Sequence, residues 1–371
     1  MKGGQVKMGR KSQAGQPTPV VSFTTPTKIQ RISTGSLVID SALKGGVPRG
    51  AVTLIAGRAD TGKTLICSHV VANAVKQGNR ALILDFEGRF LDLERLLNRG
   101  LTEEQIREKV KIVTSIYTVE DASKLIRGEL TASEPPAVVV IDSIGAIQAL
   151  TSLRSVSEEG KSGIGDTARA ITREFKDILY GLTQQTNTAL MMTTQKRTSI
   201  LPYGAYESDY LPNILRHAPA VYLQLKSEDE SDSLTPVKAV KVKEMTRDLF
   251  KKIVFFFEKN QTGYPHARGV TRYFLFSRSD YGIRIGDWDL VFEICGLGSA
   301  SFFGVVRRVT RDGQTYYSTP SGNSYLLSDL YTKPSVREKF LSETYDIFLQ
   351  KMLQFWEGNY VTISLDGMEV E

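Results

Sequence analysis

The chain has 371 residues, 41% of them hydrophobic and 24% charged, which is enough for one large buried core and a smaller unit beside it. It carries 47 basic and 41 acidic residues, a formal charge of +6. No apolar run reaches the length of a membrane span or makes a signal peptide, and the two distant cysteines, Cys67 and Cys295, exclude a disulfide scaffold or a zinc site. A soluble intracellular protein is expected, its cysteines acting as small buried apolar side chains.

In chain order, residues 1–31 read as a flexible basic arm. Lys2, Lys7, Arg10, Lys11, Lys28 and Arg31 all precede the first acidic residue, Asp40, and account for the whole charge excess. Such an arm suits attraction to a polyanion and equally suits a solubilising tail. AVTLIA (51–56) is a short apolar strand, and the segment after it, to Gly78, has helical spacing. RALILDFEG (80–88) predicts a second strand; LDLERLLNRG (91–100) and 119–130 predict helices. PAVVVIDSIGAI (136–147) is the continuous apolar run of a strand buried on both faces. A long amphipathic helix is expected at 166–185, then a buried strand, TALMMTTQ (188–195). AVYLQLK, PVKAVKVKEM, KKIVFFFEK and VTRYFLFS follow as further strands. Alternation up to 195 and mostly strands thereafter predict an α/β core with a mainly parallel sheet and antiparallel strands at one edge. After about 287 a helix, a hairpin and a helix suggest a small α+β unit. The division is then 1–31, 32–286 and 287–371.

Between the first strand and its helix lies GRADTGKT, Gly57 to Thr64, which fits the phosphate cradle G-x-x-x-x-G-K-[ST] at every position. Glycines in such a loop let backbone N–H groups close around phosphates. Gly57, Arg58, Ala59, Asp60, Thr61, Gly62, Lys63, Thr64 and Leu65 are therefore the expected ATP-binding residues. Lys63 would neutralise the terminal phosphates and Thr64 would ligate magnesium through its hydroxyl. Asp142, ending an apolar strand, is positioned to hold the same magnesium through water. Hydrolysis also needs a group to polarise the attacking water. Asp85 and Glu87 both lie beyond the second strand and would share a face if it stayed extended, so spacing does not choose between them.

RISTGSLVIDSALKGGVPRGAVTLIAGRADTGKT (31–64) resembles the opening of the RecA family of strand-exchange recombinases. The resemblance runs patchily on to about 345. It implies a RecA-like ATPase core in which Glu87 is the catalytic carboxylate and Gln195 senses the terminal phosphate. PNILRHAPAVYLQL (212–225) resembles the segment whose histidine reaches the neighbouring subunit's nucleotide, which makes His217 a residue acting in trans. Lys243 and Arg247 of AVKVKEMTR are implied to do the same. Two polar, turn-rich segments fall where the family carries its DNA loops, at 150–169 and 196–212. Arg154, Lys161, Arg169, Lys196 and Arg197 would meet phosphates there, while Ile200, Leu201 and Tyr203 would wedge or stack against bases. VVSFTTPTKIQ resembles the family's subunit tether, with Phe23 filling a neighbour's pocket and Pro26 replacing a small alanine.

The family's features imply ATP and Mg2+ as cofactors, and single- and double-stranded DNA and further copies of the chain in a helical filament as partners. Single-strand-binding and mediator proteins are further candidate partners, in the cytoplasm of a bacterial or phage-infected cell. Departures are equally specific. Leu211 and Pro212 replace a Gly-Gly before Asn213, an adenine-stacking tyrosine is missing near Asp92 and Glu94, and residues 258–275 read as an inserted basic hairpin with Lys259, Arg268 and Arg272. Together these indicate a divergent recombinase of the kind phages encode. A ring-forming helicase on the same core and a mediator paralogue are the alternative readings. The short arm leaves no room for a helicase collar, and an intact Lys63, Thr64, Glu87 and Asp142 argue against a dead ATPase.

Overall fold

The computed structural model describes residues 28–91, 93–97, 99–116, 118–150, 152, 164–201, 204–208, 211–227, 240–242, 245–247, 250–265, 267–274 and 306–359. Eight strands form the central sheet: β1 (Val52–Gly57), β2 (Ala81–Asp85), β3 (Val110–Val113), β4 (Val138–Asp142), β5 (Ala189–Gln195), β6 (Val221–Ser227), β7 (Phe250–Asn260) and β8 (Arg268–Phe274). Their order across the sheet is β8-β7-β6-β1-β5-β4-β2-β3. The strands from β6 to β3 pair in parallel; β7 and β8 pair antiparallel at one edge. Every residue of β1, β2 and β4 is buried, as expected for strands covered on both faces.

Helix α1 (Leu37–Ala42) and helix α2 (Lys63–Lys76) cover one face, where Ile66, Val70 and Val75 pack with Ile55, Ile83 and Val140. The other face is covered by α3 (Val119–Leu130) and α4 (Ile164–Asp177), whose Ile126 and Phe175 meet Leu54, Val139 and Met192. The alternation of strand side chains thus divides the core into two layers. The helix expected at 166–185 is interrupted. After α4 the chain opens into a π turn at Ile178–Leu182, where the Thr183 hydroxyl donates to Ile178 O at 2.6 Å, before Thr183–Gln185 resumes. The helix read at 91–100 is confined to Glu94–Leu97.

The helix Glu103–Lys109 and edge strand β3 were not anticipated from the periodicity. The helix has a local signal, a capping box in which Thr102 and Gln105 bond each other's backbone N–H groups. The hairpin read at 258–275 belongs to the sheet itself, as the turn between β7 and β8. Its Tyr264 N–H donates to Ala42 O at 2.9 Å, anchoring the turn to the end of α1.

The C-terminal unit contains an antiparallel sheet of Arg307–Arg311, Gln314–Ser318 and Ser324–Leu326, then Leu327–Thr332 and a long helix, α6 (Pro334–Asn359), numbered after α5 (Asn213–His217). Phe340 and Phe348 of α6 join the same apolar cluster as Phe255 and Phe257 of β7. Residues 289–298, read as a helix, lie outside the described residues, as does Cys295, while Cys67 is buried. Among the described residues no helix is long and apolar enough to cross a membrane.

Candidate nucleotide-binding and catalytic site

The carboxyl ends of four parallel strands converge on one cleft, the usual ligand position of an open α/β sheet. Register brings the residues together: Gly57 on β1 is paired with Gln195 on β5, and Asp85 on β2 with Asp142 on β4. The loop leaving β1 follows its sequence closely. A Cβ on Gly57 would lie 2.6 Å from both Leu225 O and Thr61 Oγ1, so only glycine fits. Gly62, with φ 89, starts α2 and provides no side-chain cap. The first N–H groups of a fourteen-residue helix are thus left uncapped by any side chain, as an incoming phosphate requires.

Lys63 is buried and folds over the loop, donating to Gly57 O at 2.8 Å and Arg58 O at 2.6 Å. Burial lowers its pKa; the charges of Asp142 and Glu87 oppose that shift and the Arg89 charge adds to it. Leu65 packs its side chain on the core. The fit to a phosphate chain is therefore good on three counts: a cradle that a Cβ would fill, an uncapped helix and a buried cation.

Asp142 lies beside this cradle. Its Oδ2 accepts from Thr64 Oγ1 at 2.6 Å, and its Oδ1 accepts from Thr193 Oγ1 in a short hydrogen bond. Burial pushes the Asp142 carboxyl up; the bonds from Thr193 and Thr64 restrain it, while the nearby charges of Glu87 and Asp85 push it further. A hard cation would relieve that strain. The Thr64 hydroxyl and the Asp142 carboxylate supply only oxygen, and few protein donors suit Mg2+, which keeps several waters and takes phosphate oxygens as ligands. Among the described residues there is no cluster of three or more His, Cys, Asp or Glu side chains able to hold a metal on its own.

β2 ends at Asp85, and the side chains of Asp85 and Glu87 part there. Asp85 is buried and occupied, accepting the backbone N–H groups of Arg89 at 2.9 Å and Phe90 at 2.7 Å. Gly88, with φ 68, turns the chain. Glu87 instead faces the cleft. Its Oε1 accepts from Ser143 Oγ at 2.5 Å, and Gln195 Nε2 reaches both oxygens, at 3.1 and 3.2 Å. Thr193 and Ser143 were missed in the sequence. The available signals were position alone: Thr193 is two residues before Gln195 on one strand face, and Ser143 directly follows Asp142.

The other expected residues are more scattered. His217 ends α5 with its side chain exposed, while its carbonyl accepts from Lys259 Nζ at 2.7 Å. Arg247 lies on Met245–Arg247, which pairs with Val240–Val242; Lys243 lies outside the described residues. The segment after Gln195 contains a hairpin, Arg197–Leu201 paired with Gly204–Ser208, where the sequence reading expected a bare loop. Lys196, immediately before it, is tied back by its N–H to Gly57 O at 3.2 Å. Arg169 is exposed near the start of α4, 3.2 Å from Asp166. Arg154, Lys161, Tyr203 and Phe23 lie outside the described residues.

A family model described as the RecA N-terminal domain matches residues 17–255. Protein RecA of Chlorobium chlorochromatii is 33% identical over 224 residues, covering 58% of this chain and 61% of that protein. Protein RecA of Rhodospirillum rubrum is 32% identical over 225 residues, 58% of each chain, and that of Nostoc sp. 27% identical over 226 residues, 59% of this chain and 61% of its own. The alignments thus span about three fifths of the length of these relatives. With a family match across more than half of its residues and the cradle and Glu87 cluster inside it, this chain belongs to the RecA family.

Proposed function

We propose that the protein is an ATP-dependent DNA recombinase that coats single-stranded DNA as a helical filament, pairs it with a homologous duplex and exchanges strands. One observation carries the reading. Glu87, held by Ser143 and Gln195, faces the same cleft as Lys63 and the Thr64–Asp142 pair, in a chain of this family. Bound magnesium would supply charge neutralisation on the phosphates, with Thr64 and Asp142 as its protein side. Lys63 exchanges the Gly57 and Arg58 carbonyls for phosphate oxygens, and the uncapped start of α2 donates beside it. Glu87 orients the attacking water and accepts its proton.

Gln195 bonds Glu87 and is followed, after Lys196 alone, by the Arg197–Leu201 strand. A change at the carboxylate is thereby transmitted to the hairpin assigned to DNA, with Lys196 and Arg197 on phosphates and Tyr203 on bases. Arg154, Lys161 and Arg169 complete the DNA contacts. His217, Lys243 and Arg247 act on the neighbour's nucleotide, and Phe23 tethers adjacent copies. The setting is the cytoplasm of a bacterial or phage-infected cell, with single-strand-binding and mediator proteins as further partners. The test is ATP hydrolysis with and without single-stranded DNA. Wild type should be stimulated by the DNA, and Glu87→Gln should lose about a hundredfold or more in rate while still binding nucleotide. No stimulation in the wild type would sink the proposal.

A further inference from the structure

Arg89 has no role in the chemistry described so far, yet it borders the cleft. Its backbone is fixed on both sides: its own N–H is held by Asp85 Oδ1 at 2.9 Å, and the next residue, Phe90, is buried and held by Asp85 Oδ2 at 2.7 Å. Its side chain is not fixed. It is 49% exposed, and its Nε lies 3.6 Å from Glu87 Oε2, an ion-pair distance too long for a hydrogen bond. Among the described residues Glu87 is its one ionic partner. A half-exposed pair at this range contributes little, since water screens it and two side chains must be ordered. Glu87 does not need it, being held by Ser143 and Gln195. Arg89 is therefore a cation on an anchored stalk with a weak partner.

Its position relative to the cradle gives it a use. Glu87, 3.6 Å from Arg89 Nε, is bonded by Gln195, which pairs with Gly57 where the cradle begins, so Arg89 and Lys63 flank the space where phosphates belong. Carboxylates already outnumber those two cations there, and a triphosphate adds more negative charge. A terminal phosphate offers a guanidinium paired, charge-assisted hydrogen bonds, which the distant Glu87 oxygen does not.

We propose that Arg89 is a ligand of the terminal phosphate supplied by the same chain, leaving Glu87 when a nucleoside triphosphate binds. The exchange has two consequences. It distinguishes triphosphate from diphosphate, and it frees the Glu87 oxygen to orient water. The inference rests on the ATPase reading above, and one experiment separates the two. Calorimetric titrations with ADP and with the non-hydrolysable AMP-PNP, both with magnesium, are made on wild type, Arg89→Gln and Arg89→Lys. Arg89→Gln should weaken AMP-PNP about tenfold or more, the scale of a lost charge-assisted bond, and leave ADP within about twofold. Arg89→Lys, which keeps the charge without the planar fork, should fall between. The nucleotide-free variants should melt with the wild type, because only a surface ion pair is lost. If Arg89→Gln melts early, the Lys variant must still lose AMP-PNP selectively. Equal weakening of both nucleotides, or unchanged AMP-PNP binding, overturns the role of Arg89 alone. Wild type that binds neither nucleotide overturns the ATPase reading and this inference together.

Discussion

Asp142 shows how a single buried carboxylate is held between two hydroxyls. Thr193 and Thr64 each donate to one of its oxygens, and burial works against its ionisation. Thr193→Val keeps the side-chain shape and removes one donor, leaving a buried charged oxygen unbonded. The expected cost is about 1–3 kcal/mol of stability, measured by urea unfolding. An unchanged midpoint would mean that the Thr193 bond is not formed. The residue scale is also where the sequence left a real choice. Asp85 and Glu87 are two acids two positions apart, and their separation depends on where β2 ends and on which backbone N–H groups turn back onto Asp85. Neither fact is a property of the two side chains.

At the scale of elements, the C-terminal sheet is attached to α6 through one carboxylate. Glu343 accepts from Thr319 at 2.8 Å and from Ser321, Asn323 and Tyr325 at 2.7 Å each. Burial raises its pKa, but these four donors outweigh burial and bring it down to about 2, from an ordinary 4.5. The sign follows from the lower folded value. The folded chain releases this proton more readily than the unfolded chain, so its stabilising effect is complete above pH 4.5 and is lost as pH falls toward about 2. Near-ultraviolet circular dichroism of the tyrosines should report that loss on acidification. Glu343→Gln should be less stable at neutral pH and should lack the transition in that window. A titration identical to the wild type would remove Glu343 as its cause. The strands and long helices were legible in the sequence because burial on both faces writes continuous apolar runs and helices write a spaced stripe. The hairpin after Gln195 was not, since polar turn-rich residues pair or stay open according to what surrounds them.

Across the whole molecule, α6 is joined to the front of the α/β core. Tyr345 OH donates to Asp40 Oδ2 at 3.2 Å, and Tyr264 OH to Leu353 O at 3.3 Å. Asp40 is buried and also accepts from Ser33 and Thr34, in the segment leading to the cradle. In the proposed filament each nucleotide is shared between copies, so assembly should depend on triphosphate. Electron micrographs with AMP-PNP and single-stranded DNA should show threads. His217→Ala should shorten them without changing the melting of the isolated chain, because that imidazole is exposed. Rings, or threads that form equally well without nucleotide, would contradict the shared site.

The sequence by itself determined the cradle, its strand and helix, the parallel core and the family, because each is encoded in contiguous residues whose spacing follows from backbone geometry. Tertiary structure alone decided that Glu87 and not Asp85 faces the cleft, that Thr193 and Ser143 support the two acids, and that α6 docks on α1. Those facts depend on strand order, register and the docking of helices, which bring together residues as far apart as Asp40 and Tyr345 and which no local pattern records.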